Sequence, residues 1–260
     1  MRSLLAGFSI IIPLVLLKRL RINRETVAYA LIIGCTYTGL GFGGMFLADG
    51  RIAPGLATIL ANTQPLIAAI FAYFILHERL EVQNIVGLGL GFLGIMVIAG
   101  PSVFSSTPTG QFTGIALILL GAVGTGSGNV MMKRSNERCD LWTLTGLQFL
   151  IGGLALLILS MLFEPQQPIF WHSSFSWSLV ILALPGTSIA TLAWIRLLKI
   201  VPLTKLNVFT FLTPIFGIVI GYTFFDERFS AVQALGALLA LIGVYLATRS
   251  EPKTLSRKRL

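Results

Sequence analysis

The stretch NTQPLIAAIFAYFILHERL, residues 62–80, decides the fold of this chain. It belongs to a mostly apolar block over 54–76. A helix of about 20 apolar residues crosses the roughly 30 Å hydrocarbon core of a bilayer, and in lipid its backbone groups must be satisfied within the segment. The stretch therefore predicts a membrane-spanning helix that contains a proline and ends in a Glu-Arg pair.

The same pattern returns 149 residues later as FLTPIFGIVIGYTFFDERF, residues 211–229. Seven positions in this register are identical: Pro65/Pro214, Tyr73/Tyr222, Glu78/Glu227, Arg79/Arg228, Gly87/Gly236, Leu90/Leu239 and Gly94/Gly243. Five predicted spans separate equivalent points, and an odd number turns the second copy over in the membrane. We therefore expect two repeats of opposite orientation, an arrangement that places substrate sites between the repeats near the midplane.

Apolar blocks of this kind recur along the whole chain. They are 27–48, 54–76, 82–100, 112–132, 141–163, 175–198, 202–225 and 231–248, with a shorter ninth block at 3–17. The 260 residues are 55% hydrophobic and 11% charged, whereas a soluble domain carries roughly a quarter charged residues. The blocks also lack the alternation of barrel strands. We expect an all-α integral membrane protein with about nine transmembrane helices.

The basic residues predict the orientation of the chain. If the spans cross alternately, 16 Lys and Arg residues fall on one side and three, Arg2, Arg51 and Arg228, fall on the other. The positive-inside rule places the basic loops and the C-terminus in the cytoplasm of a multi-pass cell-membrane protein, in the inner membrane if the cell is bacterial. This also explains the net charge of +9 without a nucleic-acid partner. The tail 249–260 is expected to be a solvated anchor, with anionic-lipid contact as the alternative.

The pattern Pro65…Glu78-Arg79…Gly94 and its second copy resemble the EamA-type domains of the drug/metabolite transporter superfamily. The resemblance implies ten helices in two inverted five-helix repeats. It assigns 1–100 to a first repeat, 112–248 to a second and 249–260 to a cytoplasmic tail. The first repeat is expected to lack its first helix, through loss or through a start codon assigned too far downstream.

The resemblance implies a transporter that moves a small metabolite, an amino acid or a drug-like solute by alternating access, often outward. It does not name the solute. Two alternatives stay open: a non-transporting membrane protein, either a remnant or a partner-binding subunit, and a passive channel. The expected partners are the small solute and the lipid bilayer, and a homodimer is left open.

Two proline-broken helices supply the candidate solute cavity. Pro65 and Pro214 donate no N–H and clash with the carbonyl four residues back, and freed carbonyls in a membrane need polar neighbours or cavity water. The other candidates are polar or aromatic residues within spans: Asn62, Gln64, Tyr37, Asn129, Gln148, Thr191, Trp194, Asn207 and Thr213. For each the alternative is packing or an interhelical hydrogen bond, and for Trp194 it is the aromatic belt.

Charged pairs mark the ends of the two equivalent spans. Glu78-Arg79 and Glu227-Arg228 are candidates for a gate at each mouth or for a structural helix end. The alternative is a local ion pair at the headgroup boundary, worth about 0–1 kcal/mol. In the helix that follows the first pair, a stripe of small residues predicts close helix packing. This stripe consists of Gly87, Gly91 and Gly94.

Catalytic and metal-binding patterns are absent from the sequence. His77 and His172 are nearly a hundred residues apart, and no HExxH, CxxC or Gly-Lys-Ser/Thr phosphate loop occurs. No ionisable residue lies near the middle of a span, which disfavours a buried-carboxylate proton relay and suits a zwitterionic or amphipathic solute. We expect neither an enzyme nor a cofactor.

Overall fold

The computed structural model describes residues 1–103, 111–136, 138–163, 171–225 and 230–249. Within these ranges the chain forms nine helical spans, which confirms the all-α architecture. They are α1 (Arg2–Leu16), α2 (Arg24–Ala48), α3 (Pro54–Ile75), α4 (Val82–Val103), α5 (Gln111–Ser135), α6 (Leu141–Phe163), α7 (Ser173–Ile200), α8 (Leu203 to Phe225) and α9 (Ala231–Arg249).

Eight of these helices are long and apolar enough to cross a membrane, and α1 is shorter. The 15 residues of α1 reach about 22 Å. A Cβ atom built at Gly7 of α1 would lie 2.9 Å from the backbone nitrogen of Leu150 in α6, and one at Gly153 would lie 2.9 Å from the Leu4 side chain. Glycines on both helices therefore let α1 lie directly against α6.

The two ends of the bundle differ in charge. We call the end with the loops of Lys18, Arg79 and Lys133 the basic side, and the end at Arg51 the opposite side. Loops that are far apart in sequence meet on the basic side, where the backbone N–H of Arg21 donates to Thr143 Oγ1 over 3.2 Å. The α1–α2 loop and the start of α6 therefore lie at the same end of the bundle, as the alternating assignment of the loops predicts.

The two repeats are related by a pseudo-twofold axis that passes between α4 and α9. A Cβ atom at Gly94 would lie 2.6 Å from the carbonyl oxygen of Gly236, and one at Gly236 would lie 2.7 Å from that of Gly94. Gly87 and Gly243 approach each other equally closely, at 2.6 Å in both directions. Because the 149-residue offset turns one contact into the other, the structure confirms both the inverted repeat and the small-residue packing.

Helix α5 packs against helices of the first repeat, although the repeat pattern predicts it as the first helix of the second. A Cβ atom at Gly124 would lie 2.7 Å from the carbonyl oxygen of Thr36 in α2. The described residues place no helix at the equivalent position against α7 and α8. There a Cβ atom at Gly217 would meet nothing within 4 Å, and Phe224 is 78% exposed.

Helices α2 and α7 each contain a π-helical segment at an equivalent position. The segments are Gly34–Phe42 and Leu184–Ile189, and the 149-residue offset places the second within the first. In α7 the Thr187 hydroxyl donates to the carbonyl oxygen five residues back, that of Leu182, over 2.7 Å. π-Helical segments occur frequently at functional sites, and here they lie in both inverted copies.

Candidate functional site

Helices α3 and α8 are both broken at the position where the repeat predicts it. Helix α3 consists of Pro54–Ala61 and Gln64–Ile75, and α8 consists of Leu203–Val208, a 3₁₀ turn at Phe209–Phe211, and Leu212–Phe225. Pro65 and Pro214 therefore lie in the first turn of a new half-helix and not inside a kinked one. Proline is tolerated there because its missing N–H has no partner in a first turn.

Polar side chains satisfy part of the backbone at each break. In α3 the Asn62 amide donates to the Thr58 carbonyl oxygen over 2.8 Å, and the Thr63 hydroxyl donates to that of Leu60 over 2.6 Å. In α8 the Thr210 hydroxyl donates to the Asn207 carbonyl oxygen over 2.6 Å. Local backbone satisfaction therefore explains some of the polar residues around the prolines.

A cavity of about 580 Å³ lies between the two broken helices, in the half of the bundle near the opposite side. This volume falls in the range of small-molecule sites. Among the described residues its lining contains no charged side chain. The polar lining residues are Thr58, Asn62, Gln64, Thr210, Thr213 and Gln233, with Pro214 beside them.

Four residues predicted from the sequence thus share one cavity: Asn62, Gln64, Thr213 and Pro214. Gln64 is notable because its Nε2 atom is buried without a hydrogen-bond partner among the described residues. A buried donor without a partner costs about 1–3 kcal/mol. A solute oxygen or a water molecule in the cavity would remove that cost. Pro65 is buried but is not among the lining residues.

Four other predicted residues, Tyr37, Asn129, Thr191 and Trp194, do not line this cavity. The indole N–H of Trp194 in α7 donates to Asn129 Oδ1 in α5 over 3.0 Å. The Tyr37 ring lies 5.7 Å from that of Phe42, and Thr191 is buried. The Trp194–Asn129 bond joins two helices, as the packing alternative expects.

Gln148 and Asn207 are fully buried, and the structure brings neither to the cavity. The side-chain nitrogen and oxygen of both have no hydrogen-bond partner among the described residues. Two amides without partners are costly in a low-dielectric interior. Their participation in transport stays a prediction.

On the basic side, Glu78 connects the end of α3 to the start of α8. His77 adopts a left-handed backbone conformation (φ 54°) at the turn after α3. Glu78 Oε1 accepts the N–H of Leu203 over 2.8 Å, and Oε2 accepts the N–H and the hydroxyl of Thr204 over 3.1 and 3.0 Å. The carboxylate of the first repeat therefore caps a helix of the second.

Lys133, in the last turn of α5, completes this cluster. Its Nζ lies 3.3 Å from Glu78 Oε1 and donates to the Val201 carbonyl oxygen over 2.6 Å. The side chains of Glu78 and Lys133 are only 12% and 22% exposed. We call the contacts of Glu78 with Lys133, Leu203 and Thr204, and of Lys133 with Val201, the Glu78 closure. It joins the end of α3, the end of α5 and the start of α8, on the basic side of the cavity.

The sequence pointed to Glu78 but missed its partners. Arg79, the neighbour expected as a local ion-pair partner, is exposed, and Glu78 pairs with Lys133. The only sequence signal for Lys133 was its place among the basic residues at a span end. The equivalent residues Glu227 and Arg228 lie outside the described part of the chain.

Metal-binding chemistry finds no support in the described residues, where no three His, Cys, Asp or Glu side chains are grouped closely enough to hold an ion. Cys35 and Cys139 are both free. Burial raises the pKa of the Cys139 thiol, which lies in the loop before α6.

Comparison with known proteins agrees with this geometry. A model described as the EamA-like transporter family matches residues 1–100 and 112–249. The chain belongs to the EamA-like transporter family. This EamA-like protein is 32% identical over 216 residues to a chloroplastic WAT1-related protein of Arabidopsis thaliana, a match that covers 79% of the chain but 51% of the plant protein. The chain thus spans about half the length of that relative.

Other relatives and a solved structure extend the comparison. The uncharacterized transporter YoaV of Bacillus subtilis is 25% identical over 235 residues, which cover 89% of the chain and 79% of YoaV. A crystal structure superposes with a TM-score of 0.81 over 95% of the chain and 86% of its own, at 21% identity, which supports the fold alone. The family and these relatives support a membrane transporter in general, and the apolar helices support a multi-pass membrane protein.

Proposed function

We propose that this EamA-like transporter carries a small solute without net charge, such as a zwitterionic amino acid or an amphipathic metabolite or drug, by alternating access. The observation that carries the proposal is the cavity between α3 and α8. Equivalent half-helix starts from the two inverted repeats line it, through Gln64 on one side and Thr213 and Pro214 on the other. When inverted repeats share one site, the conformation of each repeat can be exchanged for that of the other, which opens the site first to one side and then to the other.

The chemistry of the lining supports the solute class. The polar groups in the cavity are amides and hydroxyls, and its remaining lining is apolar. A solute with a net charge would lose its hydration without meeting a counter-charge, which is costly in a low-dielectric site. Amide and hydroxyl groups can pair with the ammonium and carboxylate of a zwitterion, and the apolar lining can contact its side chain.

We propose export as the direction of transport, as the family resemblance implies, with the Glu78 closure as the contact that opens for loading. The basic side is predicted to be cytoplasmic, so the closure blocks the cytoplasmic end, whereas the cavity lies toward the other end. The structure then corresponds to an outward-facing conformation. Solute loading from the cytoplasm requires the contacts of Glu78 with Leu203 and Thr204 to break.

Saturable counterflow in proteoliposomes, with a panel of labelled amino acids and toxic analogues, tests this function. We expect at least one neutral solute to exchange, and Gln64→Ala to reduce its exchange about tenfold or more, because one buried hydrogen bond is worth up to about 3 kcal/mol. Gln83→Ala is the matched control, since Gln83 is exposed on α4. Single-channel current steps, or equal exchange by both variants at equal abundance, would overturn the proposal.

A further inference from the structure

A second, larger cavity lies on the basic side, between α1, α6 and α7, and takes no part in the proposed solute path. Its volume is about 980 Å³. Its apolar walls are Ile10, Leu14, Leu17, Leu184, Ile189 and Leu192. Its basic rim is Lys18, Arg19 and Arg21. We call this cavity the basic groove.

The groove has distinct ends. Away from the basic side, the hydroxyls of Ser9 in α1 and Ser188 in α7 are 3.0 Å apart and join the two helices. Toward the basic side, the walls end at Leu17, which is 64% exposed. The basic groove is apolar between the helices and ends in a cluster of cations, so its shape and charge are complementary to an amphiphile with an anionic headgroup.

The backbone at the rim is held in an unusual conformation. Lys18 has φ 52°, in the left-handed region that glycine adopts without steric cost. The N–H of Lys18 donates to the Val15 carbonyl oxygen over 3.0 Å, and the N–H of Arg19 donates to that of Leu14 over 2.9 Å. These two bonds form a Schellman motif, in which glycine usually occupies the position of Lys18. Lys18 therefore occupies a position where the backbone conformation favours glycine.

The rim cations lack an anionic partner on the described protein. None of Lys18, Arg19 and Arg21 forms an ion pair within the described ranges. Among the described lining residues the one carboxylate is that of Asp140, which accepts from the N–H and the hydroxyl of Thr143 over 2.9 Å each. The rim therefore keeps a net positive charge. The positive-inside rule explains why these cations lie on the basic side, but it does not explain why they surround a cavity.

We propose that the basic groove binds an anionic phospholipid from the leaflet on the basic side. The headgroup phosphate contacts Lys18, Arg19 and Arg21, and an acyl chain lies along Leu14 and Leu192. Basic pockets between transmembrane helices are suited to phosphate headgroups. The apolar walls select a lipid over a free phosphate, because only a lipid fills both parts of the groove. This inference is independent of the solute and of the direction of transport.

The test compares lipids of identical acyl chains on the full-length protein. Native mass spectrometry, with phosphatidylglycerol and phosphatidylcholine added in turn, measures bound lipid. We expect the wild type to prefer phosphatidylglycerol by about tenfold or more, because each of the three rim cations adds to the attraction for an anionic headgroup. The combined substitutions Lys18→Gln, Arg19→Gln and Arg21→Gln should abolish the preference.

The matched control removes three other exposed cations on the basic side, through Arg24→Gln, Arg134→Gln and Lys199→Gln. These lie outside the groove lining, so the preference should persist. Equal loss in both triple variants would overturn the proposal, because it would show a general surface charge effect. Displacement of the lipid by millimolar glycerol 3-phosphate would also overturn it, in favour of a free-anion site.

A single substitution keeps the test independent of folding defects. Lys18→Gly removes a rim charge and relieves the left-handed backbone, so its unfolding temperature in zwitterionic lipid should equal or exceed that of the wild type. Its preference for phosphatidylglycerol should nevertheless fall. An unchanged preference in this folded variant would overturn the role of Lys18.

Discussion

At the scale of single residues, the Glu78 carboxylate satisfies backbone groups that α8 cannot satisfy by itself. The first N–H groups of a helix have no partners within it, and Pro202 at the N-cap position supplies no capping side chain. A carboxylate also interacts favourably with the positive end of the helix dipole. Lys133, 3.3 Å away, balances its charge. One side chain therefore ties the two repeats together.

We expect Glu78→Gln to loosen this tie, because a neutral amide loses the ion pair with Lys133 and accepts fewer N–H groups. Hydrogen bonds to charged groups contribute about 1.5–3 kcal/mol, so buried positions behind the closure should become about tenfold more accessible. A cysteine at the buried position Asn207 reports this through its rate of labelling by a membrane-impermeant maleimide applied from the basic side.

The labelling is measured with Cys35 and Cys139 replaced by serine, so that only the introduced cysteine reacts. Arg79→Gln is the control, because Arg79 is exposed and takes no part in the closure. Its labelling rate should match that of the parent protein. If Glu78→Gln and Arg79→Gln label at the same rate, the carboxylate does not hold the basic side closed.

Asn207 offers a second prediction, because its fully buried amide has no partner among the described residues. Asn207→Leu should raise the free energy of unfolding by about 1–2 kcal/mol, since it removes the cost of an unpaired amide. Transport should fall, because we expect the opening of the basic side to bring this buried amide to the solute or its water. Unfolding in detergent and counterflow in proteoliposomes measure the two effects.

Asn84 provides the contrast for that experiment. It is buried as well, but its amide donates to the Ala247 carbonyl oxygen over 3.5 Å. Asn84→Leu should therefore destabilise the protein, while Asn207→Leu stabilises it. Destabilisation by both substitutions would mean that Asn207 also has a structural partner.

At the scale of whole helices, the sequence predicts features that depend on neighbouring residues and misses those that depend on contacts between distant ones. The spans follow from apolar length, and the breaks in α3 and α8 follow from Pro65 and Pro214. The π-helical segments of α2 and α7 were not predicted, because no residue pattern specifies a five-residue hydrogen-bond register. The Lys133 partner of Glu78 was also missed, since their contact depends on how α5 packs against α3.

The contact of α4 with α9 carries the clearest prediction at this scale. A Cβ atom at Gly94 would lie 2.6 Å from the Gly236 carbonyl oxygen, whereas one at Gly89 in the same helix would meet nothing within 4 Å. Gly94→Ala should therefore lower the free energy of unfolding by about 1–3 kcal/mol, the usual cost of overpacking. Gly89→Ala should leave it unchanged. Thermal unfolding in one detergent compares the two, and equal stability would contradict the close approach seen here.

At the scale of the molecule, two groups of helices, one of which combines α5 of the second repeat with helices of the first, meet at the Glu78 closure. Helices α2, α3 and α5 are packed together on one side, and α7 and α8 lie on the other. Both groups contain a π-helical segment and a broken helix at equivalent positions. In an alternating-access cycle these groups rock against each other, so the distance between the end of α3 and the start of α8 must change in every cycle.

A reversible cross-link across the closure tests that requirement. Glu78 and Thr204 lie in contact, with 3.0 Å between Oε2 and Oγ1, so cysteines placed at both positions can be joined by a short, reducible bifunctional reagent. With Cys35 and Cys139 replaced by serine, exchange by the double variant should be measurable before cross-linking, fall about tenfold or more after it and return on reduction. Either single-cysteine variant should be unaffected by the reagent. Because the link fixes α3 to α8 without entering the cavity, its effect reports movement and not occupancy of the site. If exchange continues at the full rate in the cross-linked protein, the solute crosses without separation of α3 from α8. Its path would then lie outside this interface, contrary to the prediction.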